Sequence, residues 1–429
     1  MAHSTKTLYD PIHGVIDIGH LLPIIDNPHF QALRGKRQLG VTSLVFPYAV
    51  HSRFEHSIGA YRATRTLGHV WMERGWITKE QFDGMCAYAL LHDSGHPALS
   101  HVTEDFCRLD DDEKSLELIE TVFRAALIAC GIDPDLVAQI ARSSVTRDNN
   151  PLYLAVHDRN IGMEKLDYLE RDGVSTGIGY PPGIHFLRKY IMLVDGQIAV
   201  DEKMVGHVID VMDFYMKMYQ EVYLRKGLVI TQRMVHKGIH HLVRSGELDP
   251  EDLYALTDAE LLGGYFFRSQ EPVAREMYAR VRNRQLYQEA VVLRSKQTMC
   301  ETRIADKDIS VGGLDPDVMR DLTQAPQLQK RNHEGLEILE AEVERAVGLP
   351  AGVVLLTPVF NPERFEAKDV MLSCSGRVES LKERRPAHFA KMEETARSHT
   401  AIRVCAQPEY RAALCRAADG VKEVLLSVL

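Results

Sequence analysis

The segment ALLHDSGHPALSH, residues 89–101, is the most informative part of the sequence. Apolar residues recur at helical spacing over residues 82–90, which predicts a helix leading into it. His92 and Asp93 close this helix, and a glycine and a proline at positions 95 and 97 break the backbone directly afterwards. The break allows the neighbouring imidazole and carboxylate to face one ion, and this pair of ligands suits borderline divalent metals. The stretch therefore predicts part of a metal site.

A further histidine with the same potential lies upstream. His56 is in RFEHSIGAY, residues 53–61, on a second predicted helix. A metal site assembled from several helices is normal in a helical bundle. His236 and His240 also have a helical spacing that suits a metal, but the sequence suggests no third ligand for them. We therefore place the site at the earlier histidines.

The segment EKLDYLERD, residues 164–172, adds acids on a third predicted helix. Three of its side chains recur every four residues and share one helix face: Glu164, Tyr168 and Asp172. Lys165 flanks this face, so two acids, a phenol and a cation can point into one pocket. A solvated face is the alternative, and we expect Asp167 with Arg171 to form an exposed ion pair four residues apart.

Composition limits the class of protein. The 429 residues are 45% apolar and 26% charged, which is typical of a globular chain of two or three lobes. No apolar run reaches the ~18–20 residues of a membrane span, and the first ten residues lack the apolar core of a secretory signal. Seven cysteines without a Cys-x-x-Cys spacing predict free thiols in a cytoplasmic protein. A net charge of −9 argues against a nucleic-acid partner.

The predicted fold is mainly α, with a smaller C-terminal α+β lobe. Helical periodicity dominates the middle of the chain, and strand signals are sparse before residue 350. We expect a helical catalytic region over 1–330, with its motifs in 8–245, and an α+β lobe over 331–429. Strands are predicted at Val353–Val359 and Ile402–Ala406.

Six motifs, taken in order, resemble one branch of a known superfamily. The chain resembles the HD-domain phosphohydrolases, closest to the SAM-and-HD-domain dNTP triphosphohydrolases, without the SAM domain. The motifs are YDPIHGVIDI (9–18), IIDNPHFQALR (24–34), RQLG (37–40), VFPYAVHSRFEHSIGAY (45–61), LLHDSGHPALSH (90–101) and EKLDYLERD (164–172). This resemblance implies that the helical region is an HD-domain bundle.

The resemblance also implies a role for individual residues. The metal ligands it implies are His56, His92, Asp93 and Glu164. The catalytic residues it implies are His96, His101 and Glu104. The substrate-binding residues it implies are Arg53, Gln38, Leu39, Lys165, Tyr168, Asp172 and Tyr223. The residues it implies for a guanine-nucleotide activator site between subunits are Asp26, Gln31 and Arg34.

The function implied is metal-dependent hydrolysis of deoxynucleoside triphosphates to deoxynucleoside and triphosphate. Water activated by a divalent metal (Mn, Fe, Zn, Ni, Co or Mg) attacks the α-phosphorus. The implied partners are the nucleotide substrate, a guanine-nucleotide activator and further copies of the chain in a dimer or tetramer. The alternatives are another HD nucleotide phosphohydrolase, acting on a phosphomonoester or phosphodiester, and a degenerate nucleotide-binding sensor.

Three positions keep these alternatives open. Glu164 stands where relatives carry Asp, and Asp112 with Glu113 stand where relatives carry a His-Glu pair. Asp26 has a local alternative too, because it precedes Asn27-Pro28 and could simply cap the helix that begins there.

Overall fold

Helices form most of the structure, a computed structural model that describes residues 6–298, 308–358 and 368–429. The α-helices are α1 Leu22–Ile25, α2 Pro28–Ala32, α3 Arg53–Glu73, α4 Lys79–Leu91, α5 Asp111–Glu120, α6 Arg124–Ala129, α7 Pro134–Thr146, α8 Pro151–His157, α9 Met163–Thr176, α10 Ile184–Leu187, α11 Val205–Met218, α12 Lys226–Arg244, α13 Asp258–Glu260, α14 Pro272–Arg282, α15 Pro316–Gln324, α16 His333–Val347, α17 Leu381–Arg384, α18 Pro386–His399, α19 Arg411–Arg416 and α20 Ala418–Leu426.

The strands are short and form three small sheets. They are β1 Thr7–Asp10, β2 Gly14–Asp17, β3 Ile191–Val194, β4 Gln197–Asp201, β5 Gln288–Ser295, β6 Ser310–Leu314, β7 Val354–Leu356, β8 Met371–Cys374, β9 Arg377–Ser380 and β10 Ile402–Ala406. The pair β1–β2 is an antiparallel hairpin, and the two four-stranded sheets have the orders β3-β4-β8-β9 and β6-β5-β10-β7.

The chain divides into two compact units. The first comprises Met1–Val222, Pro250–Leu261 and Ala367–Phe389, and the second comprises Tyr223–Asp249, Leu262–Glu366 and Ala390–Leu429. The units thus do not follow a single cut in the sequence, and the boundary at residue 330 stays a prediction.

In the first unit, α3 packs against both α4 and α9. Capping boxes start α3 and α4: Ser52 with Glu55, and Thr78 with Gln81. Helix α4 ends at Leu91, so the next residues enter the predicted turn. These three helices therefore converge where the predicted ligands lie.

In the second unit, the sheet β6-β5-β10-β7 packs against helices including α16, α19 and α20. Strand β7 lies at the edge of this sheet, where unpaired N–H groups are a liability. Two acids of α16 cover that edge: Glu344 accepts the N–H of Val354 and Glu340 accepts the N–H of Leu356, each at 2.9 Å.

The mainly α fold with its α+β region is confirmed. The strand at Ile402–Ala406 lies where predicted, and the strand predicted at 353–359 is observed as Val354–Leu356, with residue 359 outside the described residues. Strands β1 to β6 precede residue 350, where the strand signals of the sequence are sparse. None of the described helices has the length and apolarity needed to cross a membrane.

The capping alternative for Asp26 is also wrong. The residue that caps α2 is Asn27, whose side chain accepts the N–H of His29 at 3.0 Å. Asp26 instead follows the last residue of α1, and it is exposed. Its carboxylate is therefore not used to start the helix.

Candidate metal centre

Three predicted metal ligands lie together in the first unit. His56 is on α3, and His92 and Asp93 follow the last residue of α4. One ligand atom from each residue lies within 4.8 Å of the others, and the residues are only 1%, 6% and 5% exposed. The break after α4 thus brings the imidazole and carboxylate to one point, as the sequence predicts.

The hydrogen bonds of the two imidazoles show that a cation fits between them. His56 Nδ1 donates to a carboxylate oxygen of Asp167 at 2.8 Å, and His92 Nδ1 donates to the carbonyl oxygen of Ala89 at 2.9 Å. With the protons on Nδ1, both Nε2 lone pairs face each other across 3.2 Å. Two ligands about 2.1 Å from one ion lie roughly 3.0–3.4 Å apart at angles between octahedral and tetrahedral. A divalent metal matches this donor set.

The fourth predicted ligand lies beside this group. Glu164 Oε2 is 3.0 Å from His92 Nε2, and Glu164 Oε1 is 3.2 Å from His157 Nδ1. Burial alone would lower the pKa of His157, but the Glu164 carboxylate raises it to about 9. Glu164 is not part of the three-residue group, so its role as a ligand stays a prediction. Sequence reasoning missed His157, which carries no motif of its own.

Arg53 donates hydrogen bonds both to the metal group and to the segment that follows it in sequence. Its Nη1 donates to Asp93 Oδ2 at 2.6 Å and its Nε to Ser100 Oγ at 2.7 Å. The side chain is nearly fully buried, and none of the described residues accepts a hydrogen bond from Nη2. The buried guanidinium of Arg53 therefore has one N–H donor group, at Nη2, that lies beside the metal group without an acceptor among the described residues.

The three predicted catalytic residues also lie together. Glu104 Oε1 is 2.6 Å from His101 Nδ1 and 3.4 Å from His96 Nδ1. His96 is buried, whereas the His101 side chain is 70% exposed. His96 Nε2 faces two more carboxylates, those of Asp93 and Asp111, at 3.1 Å each.

These acids keep His96 protonated. Burial and the charge of Arg53 on their own lower the pKa of His96, but the carboxylates of Asp111 and Asp93 raise it to about 10. Asp112, which stands where relatives carry the histidine of a His-Glu pair, forms an ion pair with Arg147 at 2.8 Å.

An isolated antiparallel bridge between Arg37 and Ser52 aligns two predicted substrate-binding segments. Gln38 N–H donates to the carbonyl of His51 at 3.1 Å, which places Gln38 and Leu39 beside the start of α3. The Gln38 Oε1 atom is buried without a donor among the described residues. His51, which sequence reasoning missed, is 2.8 Å from Asp172 Oδ1 through its Nε2.

The other predicted substrate residues of α9 have defined neighbours. Lys165 Nζ donates to the carbonyl of Arg159 and lies 3.3 Å from the ring centroid of Tyr215. Burial lowers the pKa of Lys165 to about 7. The Tyr168 ring meets the His56 ring edge-on, with centroids 6.3 Å apart. Tyr168 thus lies beside the metal group, and contact of either α9 residue with substrate stays a prediction.

The expected exposed pair of Asp167 and Arg171 is wrong. Both side chains are almost completely buried, with two hydrogen bonds of 3.0 Å between them. Asp167 also contacts the metal-ligand candidate His56, and its Oδ1 lies 2.7 Å from His13 Nε2. A four-residue spacing cannot distinguish a solvated pair from a buried one, and His13 is too far away in sequence to be linked to it by pattern.

The predicted activator residues are near the surface. Arg34 is exposed, and its Nε donates to Gln31 Oε1 at 2.9 Å. Its guanidinium carbon is 3.6 Å from the ring centroid of Phe54. Gln31 in turn donates to the carbonyl of Ile25 at 2.7 Å. The activator role stays a prediction, as does the role of Tyr223, which belongs to the second unit.

The second unit gathers three histidines. His333 packs against His236 and His240, with ring centroids 4.4 and 5.0 Å apart. Among the described residues, the groups with three ligand atoms within 4.8 Å of one another do not include this one. The helical spacing of His236 and His240 is therefore a packing feature here.

Comparisons with known proteins agree with this picture. A family model described as an HD associated region matches residues 185–311. The Bacillus subtilis (strain 168) protein YwfO is 28% identical over 313 residues, which are 66% of this chain and 71% of that protein. A Dictyostelium discoideum protein named deoxynucleoside triphosphate triphosphohydrolase SAMHD1 homolog is 26% identical over 347 residues, 74% of this chain and 67% of that protein.

A solved structure shares the fold. The crystal structure of a phosphohydrolase from Bacteroides thetaiotaomicron matches 94% of this chain and 99% of its own chain, with a TM-score of 0.69 at 21% identity. The chain, with its buried His-His-Asp group on converging helices, resembles the HD-domain phosphohydrolases and has SAMHD1-like proteins among its relatives.

Proposed function

We propose that the chain hydrolyses deoxynucleoside triphosphates to deoxynucleoside and triphosphate. The observation that carries this proposal is the buried guanidinium of Arg53 beside the metal group. One of its nitrogens binds the metal-ligand candidate Asp93, while Nη2 has no acceptor among the described residues. A buried cation with a free donor calls for an anion, and a phosphate oxygen is the anion that guanidinium binds best.

The histidines beside Arg53 fit cleavage at the α-phosphorus. In this reaction a water oxygen bonds to phosphorus, the bond from phosphorus to the 5′ oxygen breaks, and the sugar alkoxide takes up a proton. His96 is protonated near neutral pH, and His101 is exposed; either can give that proton, with Glu104 between them. A general acid of this kind contributes about 10²–10⁴-fold.

A divalent cation held by His56, His92 and Asp93 would supply polarisation of the phosphoryl oxygen and activation of water. The protein's own part is to orient these ligands, to hold the anion on Arg53 and to keep a proton available on the histidines. Tyr168, packed against His56, would border the sugar and leave no room for a 2′-hydroxyl. This is our reason to propose deoxynucleotides as the substrate.

The printed name of the Dictyostelium relative supports the same substrate class, since it describes a deoxynucleoside triphosphate triphosphohydrolase. Binding of a guanine-nucleotide activator at Asp26, assembly into a dimer or tetramer, and a cytoplasmic location remain parts of the proposal.

The test is product identification. The full chain is incubated with Mn²⁺ or Mg²⁺ and each dNTP or rNTP in turn, and the products are separated by anion exchange. We expect deoxynucleoside and triphosphate in equal amounts from dNTPs and little reaction with rNTPs. The matched controls are His92→Gln, which should be inactive, and His29→Gln, which changes an exposed histidine and should be fully active.

Other products would overturn the proposal in defined ways. Pyrophosphate with a deoxynucleoside monophosphate, or phosphate alone, would indicate a different HD nucleotide phosphohydrolase. Bound nucleotide without any product under all metal conditions would indicate a degenerate sensor.

A further inference from the structure

The metal-ligand candidate His56 contacts a buried carboxylate through Nδ1, the ring nitrogen that faces away from the metal group. Asp167 Oδ2 accepts the Nδ1 proton of His56 at 2.8 Å, and Asp167 is 0% exposed. Arg171 binds both oxygens of the same carboxylate at 3.0 Å. A carboxylate in this place fixes the tautomer and the ring orientation of a metal-binding histidine.

The N-terminal hairpin β1–β2 completes this arrangement. His13 Nε2 lies 2.7 Å from Asp167 Oδ1, and Arg171 Nη1 donates to Asp10 Oδ2 at 2.9 Å. The other oxygen of Asp10 accepts the N–H groups of Ile12 and His13, at 2.9 and 2.8 Å. Asp10 therefore shapes the very turn that presents His13 to the carboxylate.

A glycine makes space for these contacts. On α3, one turn after His56, a Cβ at Gly59 would lie 2.1 Å from Asp167 Oδ1 and 2.3 Å from Arg171 Nη2. Any other residue would push the carboxylate and the guanidinium away from the helix. The helix that carries His56 is thus shaped to receive this ion pair.

We propose that Asp167, Arg171, Asp10 and His13 are positioning residues for the metal, and we call them the hairpin clamp. Through this clamp the N-terminal turn sets how His56 meets the cation, although none of the four is a ligand itself. The proposal rests on the metal site of the proposed function, but it does not depend on the substrate being a dNTP.

The clamp can be tested by metal binding alone. Mn²⁺ is titrated into the metal-free full chain and its Kd is measured by electron paramagnetic resonance of the free ion. His13→Leu keeps the volume but loses the donor to Asp167, and we expect the Kd to rise about 10–100-fold. His13→Gln keeps an N–H group near the position of Nε2, so it should restore most of the affinity.

The control is His29→Gln, an exposed histidine outside the clamp, which should leave the Kd unchanged. A merely structural role would lower the melting temperature of both His13 variants without separating their Kd values. Wild-type affinity in His13→Leu would overturn the proposal.

If His13→Leu does not fold, Asp10→Asn decides instead. This change keeps an oxygen that can accept the turn N–H groups but removes the charge that holds Arg171. A raised Kd supports the clamp, and an unchanged Kd overturns it. Because no nucleotide is present, the result is independent of whether dNTPs are hydrolysed.

Discussion

At the scale of single residues, Asp93 has two tasks that separate experimentally. Its carboxylate faces the two imidazoles of the metal group, and it also pairs with the buried guanidinium of Arg53 at 2.6 Å. Removing one partner of a buried ion pair leaves the other charge uncompensated, which costs about 3–5 kcal/mol. Metal binding and stability therefore depend on the same side chain for different reasons.

We predict that Asp93→Asn and Asp93→Ala both lose metal and activity but differ in stability. Asn retains an oxygen that can accept from Arg53, whereas Ala leaves that guanidinium buried without its partner. Urea unfolding of the metal-free proteins should show Asp93→Ala clearly less stable. Asp135→Asn is the control, because Asp135 forms an exposed pair with Arg124. Equal unfolding midpoints for the two Asp93 variants would contradict the prediction that the ion pair with Arg53 stabilises the fold.

At the scale of elements, acids on α16 connect it to its neighbours in the second unit. Glu340 binds Arg233 at 3.0 Å and Lys237 at 2.6 Å, both on α12. Glu337, one turn earlier, lies 3.0 Å from His241 Nε2. The contact between α12 and α16 thus depends on paired charges.

This arrangement predicts a pH dependence for Glu337. Burial alone would raise its pKa, but the hydrogen bond with His241 and the charge of Lys237 lower it to about 2. Since the folded pKa lies below the unfolded value of about 4.3, Glu337 stabilises the fold fully above that value. The stabilisation is lost as the pH falls toward 2.

We therefore expect Glu337→Gln to lower the urea midpoint at pH 6 and to have little effect near pH 2. Glu342→Gln on the same helix is the control, because the described contacts of Glu342 include no ion pair. If Glu337→Gln lowers the urea midpoint by the same amount at both pH values, the loss of stability comes from packing rather than from the ionisation of Glu337.

At the scale of the whole molecule, the proposed activator site and the proposed assembly of subunits both involve Asp26. Its carboxylate is exposed and does not cap α2, so it is free to accept the N1–H and N2–H donors of guanine. We predict that Asp26→Asn leaves thermal stability unchanged and removes any activation by GTP or dGTP. Hydrolysis rates with and without GTP, and sedimentation with dGTP, provide the measurement, with Asp135→Asn as the control. The activator site would be contradicted if the protein is a monomer with and without dGTP and its hydrolysis rate does not change when GTP is added.

The sequence predicts the metal group better than the contacts that surround it. His92 and Asp93 are adjacent and precede a Gly/Pro break, so the proximity of their side chains follows from local geometry. The contacts of Asp167 do not, because the partner His13 lies on a hairpin far away in the chain. The short strands were missed for a similar reason: four or five residues such as β3 carry too little alternation to be separated from helical patterns.

The position of the metal tests the proposed metal-dependent mechanism directly. A crystal of the full chain grown with Mn²⁺ is measured at a wavelength where manganese scatters anomalously. We predict a peak about 2.0–2.3 Å from His56 Nε2, His92 Nε2 and an Asp93 oxygen. The peak should be absent in His92→Gln crystals grown in the same way. Manganese bound elsewhere, with these three side chains holding none, would contradict the metal-dependent mechanism.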